Sequence, residues 1–194
     1  MSELRVGIVG GSGYVGGELL RILLRHPVAE VTWVTSESAR GRYLHQRHPN
    51  LRGHTDLKFC SVDDLREVDV LFCALPHGRL RERIEILGPL GEKVIDLSAD
   101  FRLRDRELAR RYYPHLGEES PWASRFVYAL PETGREDLRG ASCAAGPGCL
   151  AATALLGLYP LAVCGLLGGP VVIEAKVGST AAGASPGRGS HHPE

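Results

Sequence analysis

A short apolar run, Leu4 to Val9, breaks at Gly10-Gly11-Ser12-Gly13-Tyr14-Val15-Gly16-Gly17, and an amphipathic pattern continues through Leu19, Leu20, Ile22, Leu23 and Leu24. That pattern stops at His26-Pro27, where proline disfavours further helix. Strand, glycine turn and helix in direct succession admit few folds. Glycine allows the backbone angles of a tight strand-to-helix turn and lets other backbone approach closely. Gly10, Gly13 and Gly16 fall in the spacing G-x-x-G-x-x-G, a variant of the dinucleotide fingerprint G-x-G-x-x-G. Backbone N–H groups around Ser12 to Val15 then face the N-terminal end of the helix, where unpaired donors and the helix dipole favour a pyrophosphate. The sequence therefore nominates Gly10, Ser12, Gly13, Tyr14, Val15 and Gly16 for cofactor binding. The competing reading is an ordinary tight turn.

The alternation of elements continues. Val28 to Thr35 reads as a strand, and Leu57 to Cys60 as a short one. Ser61-Val62-Asp63-Asp64 carries a capping-box pattern that opens a short helix. Asp69 to Leu75 is a buried-type strand, Arg79 to Leu87 a helix and Lys93 to Leu97 another strand. Strands separated by helices imply an α/β fold with a doubly wound, parallel, Rossmann-type sheet. Ligands bind such sheets outside the carboxyl ends of the strands. Gly10–Gly16, Ser36, Pro76-His77-Gly78 and Ser98-Ala99-Asp100 all fall at those ends.

The end of the second strand selects the cofactor. An NAD site places Asp or Glu about 20 residues beyond the glycines, on the ribose 2′-hydroxyl. Here the strand ends in Thr35-Ser36-Glu37-Ser38-Ala39-Arg40. Small hydroxyls and an arginine suit a 2′-phosphate, so Ser36, Glu37, Ser38 and Arg40 are nominated and NADP is favoured over NAD. Glu37 fits only by contributing backbone and turning its carboxylate away. Residues 38–54 hold Arg40, Arg42, Arg47, Arg52 and three histidines with no acid, a stretch suited to a phosphate or an acidic partner. Two readings stay open for His77, a donor to the cofactor or a cap on the following helix. Two also stay open for Arg102, a holder of an anionic substrate group or a member of a surface ion pair.

Further along, Ala144-Ala145-Gly146-Pro147-Gly148-Cys149-Leu150-Ala151-Ala152 puts a thiol behind a turn with almost no side chains. Strong helix formers come next, which places Cys149 in a first helical turn, where the dipole favours a thiolate. A buried cysteine opening a core helix is the alternative. The other four cysteines (60, 73, 143 and 164) read as structural. Their scatter and odd total provide no disulfide framework or zinc spacing and suit a reducing cytoplasm. Lys plus Arg and Asp plus Glu balance at 23 each, so no global field points to nucleic acid or a membrane. No apolar run reaches bilayer length, and the chain passes from Met1 into a strand without a signal peptide.

Together the motifs resemble the N-acetyl-γ-glutamyl-phosphate reductases and their siblings, the LysW-aminoadipyl-phosphate reductases. The matching stretches, in order, are Gly10 to Leu19, Ala74-Leu75-Pro76-His77-Gly78, Asp96-Leu97-Ser98-Ala99-Asp100-Phe101-Arg102-Leu103, Tyr128-Ala129-Leu130-Pro131-Glu132 and Gly146-Pro147-Gly148-Cys149. Gly146 stands where the arginine-pathway enzymes usually carry Asn. Leu150 comes after the cysteine where they carry Tyr. His48-Pro49-Asn50-Leu51-Arg52-Gly53 and the closing residues from Ala181 are more similar to the LysW-dependent branch. The resemblance implies NADPH-dependent reduction of an acyl phosphate to a semialdehyde through a thioester on Cys149. It also implies an aminoadipyl or glutamyl phosphate carried on LysW, a small acidic protein, in lysine or arginine biosynthesis, and a homo-oligomer in full-length relatives. Arg102 would steady substrate or phosphate. The alternatives are the arginine-pathway reductase and an inactive NADP-binding fragment.

Residues 1–145 are expected to form the NADP-binding domain and 146–194 the beginning of an α/β catalytic domain. After Cys149 the sequence supplies one helix and one strand, Pro170 to Val177. A single helix and strand cannot enclose a core of their own. Relatives of this kind continue beyond that point and carry a histidine acid/base there, so the chain reads as C-terminally truncated. Ser190-His191-His192-Pro193-Glu194 is similar to the histidine segment only in part. It lies too close to Cys149 for either histidine to be assigned that role.

Overall fold

Seven strands and six α-helices succeed one another in the computed structural model, which describes residues 3–114, 120–128 and 130–184. The strands are β1 (Leu4–Val9), β2 (Ala29–Thr35), β3 (Phe59–Cys60), β4 (Val68–Cys73), β5 (Gly91–Asp96), β6 (Phe126–Tyr128) and β7 (Cys143–Ala145). The helices are α1 (Tyr14–Leu23), α2 (Leu44–Arg47), α3 (Arg79–Leu87), α4 (Arg106–Tyr112), α5 (Pro131–Leu138) and α6 (Cys149–Val163). All seven strands pair in parallel in one sheet, in the order β3-β2-β1-β4-β5-β7-β6.

The sheet is doubly wound because successive residues of its inner strands feed two separate cores. Val6 and Ile8 of β1 pack with Leu20 and Leu23 of α1, Val31 and Val34 of β2, Leu44, Leu51 and Phe59. Val9, one position out of step, packs on the opposite face with Trp33, Leu71, Leu80, Ile84, Leu87, Val94, Phe101 and Phe126. This alternation is the period-2 consequence of a pleated strand covered on both sides. Helix α3 inserts Leu80, Ile84 and Leu87, its stripe at i, i+4 and i+7. Phe101 and Phe126 stack with ring centroids 4.2 Å apart and seal the far end of that face. Gly7 has no room for a side chain, since a Cβ there would stand 2.3 Å from the Trp33 ring.

The chain runs outward from β1 through β2 to β3, then returns to place β4 on the other side of β1. That reversal opens a crevice above the carboxyl ends of β1 and β4. Strand β7 lies three places from β1, about 14 Å at the usual strand spacing. The first turn and the Cys149 turn thus project from the same rim.

The strand expected at Pro170 to Val177 does not form. Residues 170–177 are exposed throughout and have no neighbouring strand among the described residues. A strand without a partner leaves its backbone groups to water and gains nothing from its apolar face. Cys73 and Cys143 are buried as expected, whereas Cys60 is half-buried and Cys164 is exposed past the end of α6. Ser61 does cap the segment after β3, but that segment is a single 3-10 turn, Val62–Asp64, instead of the expected short helix. Ala129 and the closing 185–194, with His191 and His192, lie outside the described residues. No helix among the described residues is long and apolar enough to cross a membrane.

Candidate active site

The first turn leaves β1 through Gly10, whose φ of +81° is open to glycine and strained for other residues. A Cβ there would also meet the Ala74 carbonyl oxygen at 2.6 Å. The Gly10 amide donates to Thr35 Oγ1 (3.1 Å) and the Gly11 amide to the Thr35 carbonyl (2.9 Å), which ties the turn to the end of β2. Gly16 packs on Gly11, where a Cβ would stand 2.6 Å from backbone atoms. Gly13 differs. It is the N-cap of α1, and nothing lies within 4 Å of where its Cβ would project. That position is empty above a helix start with no side-chain cap and no acid in its first turn. The arrangement is the cradle an anionic diphosphate needs, with free N–H donors and no side chain to block approach. Tyr14 and Val15 are exposed beside it.

At the end of β2, Ser36 is buried and its Oγ donates to Ser12 Oγ at 2.8 Å. It also accepts from the Ala39 amide (3.1 Å) and lies 3.4 Å from Ser38 Oγ. Ser12, Ser36 and Ser38 therefore form one chain of hydroxyls joining the glycine turn to the end of β2. Glu37 points elsewhere, its Oε1 paired with Arg83 Nη1 of α3 at 2.9 Å. Arg40 is exposed on the turn beyond it.

Two residues that local sequence did not single out also reach the turn. Arg47 Nε donates to the Ser12 carbonyl (3.0 Å), and His48 Nε2 lies 2.8 Å from the Gly11 carbonyl. Gly17 makes room for the imidazole, since a Cβ there would come within 2.6 Å of His48 Nδ1. Both residues stand more than thirty positions from their partners, beyond any local pattern. The acid-free run 38–54 holds both, and His48 also opens the His48-to-Gly53 stretch that resembles the LysW-dependent branch.

His77 Nδ1 accepts from the Ala99 amide (3.0 Å). The start of α3 is held by Asp100, whose two carboxylate oxygens accept from the Gly78 amide (2.6 Å) and the Arg81 amide (2.9 Å). A carboxylate at this end complements the helix dipole. The loop after β5 is thereby pinned to the loop after β4.

Cys149 is the first residue of α6, with Gly148 as N-cap, and its side chain is exposed. The turn before it is fixed through the Gly146 peptide. The Gly146 amide donates to the Asp96 carbonyl (3.0 Å), and its carbonyl accepts from Arg102 Nε (2.8 Å). Arg102 Nη2 reaches the Leu97 carbonyl at 3.2 Å. A Cβ on Gly148 would stand 3.2 Å from Arg102 Nη1, so that nitrogen faces the Gly146-Pro147-Gly148 turn. Arg102 is half-buried under the turn and bonded to backbone, with no ion pair among the described residues.

Beneath this platform Asp96 is completely buried. Its Oδ1 accepts from the Ser98 amide (2.8 Å), while Oδ2 has no hydrogen-bond partner among the described residues. Burial pushes its carboxyl up from 3.8 to about 6, against the opposing pull of the Ser98 bonds.

Residues 5–141 match the family described as semialdehyde dehydrogenase, NAD binding domain. The chain belongs to this family. It is 50% identical over 191 residues to a protein of Thermomicrobium roseum named as a putative LysW-L-2-aminoadipate 6-phosphate reductase, covering 97% of this chain and 54% of that protein. A LysW-L-2-aminoadipate 6-phosphate reductase of Deinococcus radiodurans is 48% identical over 192 residues, covering 97% of this chain and 55% of that protein. The chain spans about half the length of the curated relatives it matches. Among solved structures, aspartate semialdehyde dehydrogenase II of Vibrio cholerae superposes with a TM-score of 0.63 at 19% identity, over 84% of this chain and 43% of that one. The NADP-bound enzyme of Candida albicans gives a TM-score of 0.56 at 15% identity, over 82% and 47%. These likenesses show the Rossmann-type α/β fold, the doubly wound parallel sheet that the alternation of strands and helices predicts.

Proposed function

We propose that this chain carries the cofactor site and the nucleophile of an NADPH-dependent reductase. It converts an acyl phosphate to a semialdehyde on a substrate attached to a LysW-type carrier. The observation that carries the reading is the placement of Cys149 at the start of α6, exposed behind a fixed Gly146-Pro147-Gly148 turn, on the same rim as the glycine cradle. Residues 1–145 are taken as the NADP-binding unit and 146–194 as the start of the catalytic unit.

In this mechanism the Cys149 thiolate attacks the acyl carbon, the carbon–sulfur bond forms, and the carbon–oxygen bond to phosphate breaks. Phosphate leaves with the electron pair. The N–H groups at the start of α6 stabilise the oxyanion, and Arg102 holds the turn so that sulfur and donors keep their relative positions. Gly10, Ser12, Gly13, Tyr14, Val15 and Gly16 line the cradle for the pyrophosphate. Ser36, Ser38 and Arg40 lie at the ribose end, with Glu37 contributing backbone while its carboxylate is held by Arg83. When bound, NADPH would supply the hydride for the thioester carbon; the carbon–sulfur bond then breaks, the aldehyde leaves and the Cys149 thiolate is restored. Preference for NADP rests on the hydroxyl chain at β2 and the diversion of Glu37. The names of the relatives, together with the basic run 38–54, support an acidic carrier protein as the bearer of the acyl group. The five cysteines, all free thiols, fit a reducing cytoplasm.

The test is the reverse reaction. Incubation with the carrier-linked semialdehyde, NADP and phosphate should yield NADPH, and omission of phosphate should abolish it. Cys149→Ala should remove turnover and leave NADPH binding intact. Binding of NADPH with no turnover by the unaltered chain would favour the second reading, an NADP-binding unit without activity of its own. The chain's coverage of half its relatives gives that reading its footing.

A further inference from the structure

We infer that Arg47, at the end of α2, is the residue that reads the cofactor's 2′-phosphate and so sets the preference for NADPH over NADH. This rests on the NADP reading above and names the side chain responsible, which lies outside the β2 end where such a residue is ordinarily sought.

Three observations lead to Arg47. The first is anchoring. Its Nε is bonded to the Ser12 carbonyl at 3.0 Å, and the next residue, His48, is bonded to the Gly11 carbonyl at 2.8 Å. The imidazole is further confined against Gly17 and edge-on to Phe59, with centroids 6.3 Å apart. The base of the Arg47 side chain is thus fixed to the glycine turn, and less rotamer freedom is left to lose on binding.

The second is location. Ser12 Oγ is bonded to Ser36 Oγ at 2.8 Å, and Ser36 is the first residue beyond β2. In a sheet of this class the residue at that strand end addresses the ribose 2′ position. The guanidinium is therefore tethered to the residue that is hydroxyl-bonded to the 2′ reader.

The third is unspent charge. Arg47 is exposed, and with Nε committed its two terminal nitrogens keep a planar fork of donors suited to phosphate. No carboxylate pairs with it among the described residues, and the one acid of the adjoining loop, Glu37, is held by Arg83. Arg40 also carries a free charge but has no comparable tether, so it contributes field rather than a fixed contact.

Dissociation constants for NADPH and NADH should be measured by calorimetry on the full chain and on R47Q, R47K and R40Q. The unaltered chain should prefer NADPH. R47Q should compress the NADPH/NADH preference at least tenfold, because loss of the Ser12 tether affects both cofactors and loss of the fork affects only one. R47K keeps the charge without the tether and should fall between. R40Q should move the preference less than threefold. A preference that survives R47Q, including the case in which both affinities fall by the same factor, overturns the assignment and leaves Arg47 as a support for the turn. Equal affinity for NADPH and NADH in the unaltered chain instead overturns the NADP reading itself, so the two failures are distinct.

Discussion

Asp96 offers a quantitative test of the platform beneath the Gly146-to-Cys149 turn. Its carboxyl is completely buried, one oxygen has no partner among the described residues, and burial raises it from 3.8 to about 6 in the folded chain. A raised carboxylate value means the native state holds the proton at pH values where the unfolded chain has released it. Stability is therefore lost as pH rises from about 4 through about 6 and stays lower above that window. The full difference amounts to about 3 kcal/mol, of which somewhat under half falls between pH 5 and pH 7. Asp96→Asn keeps an oxygen to accept from the Ser98 amide and cannot ionise. Its own packing cost is a constant offset, and every other ionisable group is common to both proteins. Urea unfolding of both chains at pH 5, 6, 7 and 8 isolates the carboxyl. D96N should gain on the unaltered chain by on the order of 1 kcal/mol across that range. A difference between the two that is independent of pH would refute the burial argument.

Three further outcomes concern the turns. Gly13→Val should leave thermal stability nearly unchanged, since the added atoms enter open space, yet abolish NADPH binding by calorimetry. Gly16→Ala should lower both, because its Cβ would stand 2.6 Å from Gly11 backbone and overpacking costs about 1–3 kcal/mol. Arg102→Gln, which removes the charged bonds to the Gly146 and Leu97 carbonyls, should destabilise the fold by about 2–4 kcal/mol. If Arg102 acts by positioning, R102Q should also slow alkylation of Cys149 by a neutral reagent, which a purely substrate-binding role would leave unchanged.

Local pattern made part of this molecule legible. The β1–turn–α1 unit and the bounds of α3 arise from residues that are close in sequence, where apolar period and glycine placement speak directly. Cys149 at the first position of α6 was readable from the same kind of signal, a glycine-rich turn before strong helix formers. The features that escaped are long-range. Arg47 and His48 reach back 35 and 37 residues to the glycine turn, and Asp100 caps a helix that begins about twenty residues earlier. No periodicity announces such bonds. The short strands β6 and β7 and their inverted order in the sheet were likewise hidden, since three residues are too few to show alternation. The apolar run 170–177 misled in the opposite direction. Its β-branched content fits a strand, but strand formation depends on a neighbour that the described residues do not provide.

The central claim is that Cys149 is acylated by an acyl phosphate. The direct measurement is intact mass after brief incubation with the 6-phosphate of an N-acylated 2-aminoadipate, without NADPH, alongside an assay for released phosphate. One acyl group per chain should form on Cys149 with one equivalent of phosphate, be removable by neutral hydroxylamine as a thioester is, and be absent from Cys149→Ala. Acylation spread over other residues, or phosphate release unaffected by loss of the Cys149 thiol, would contradict it.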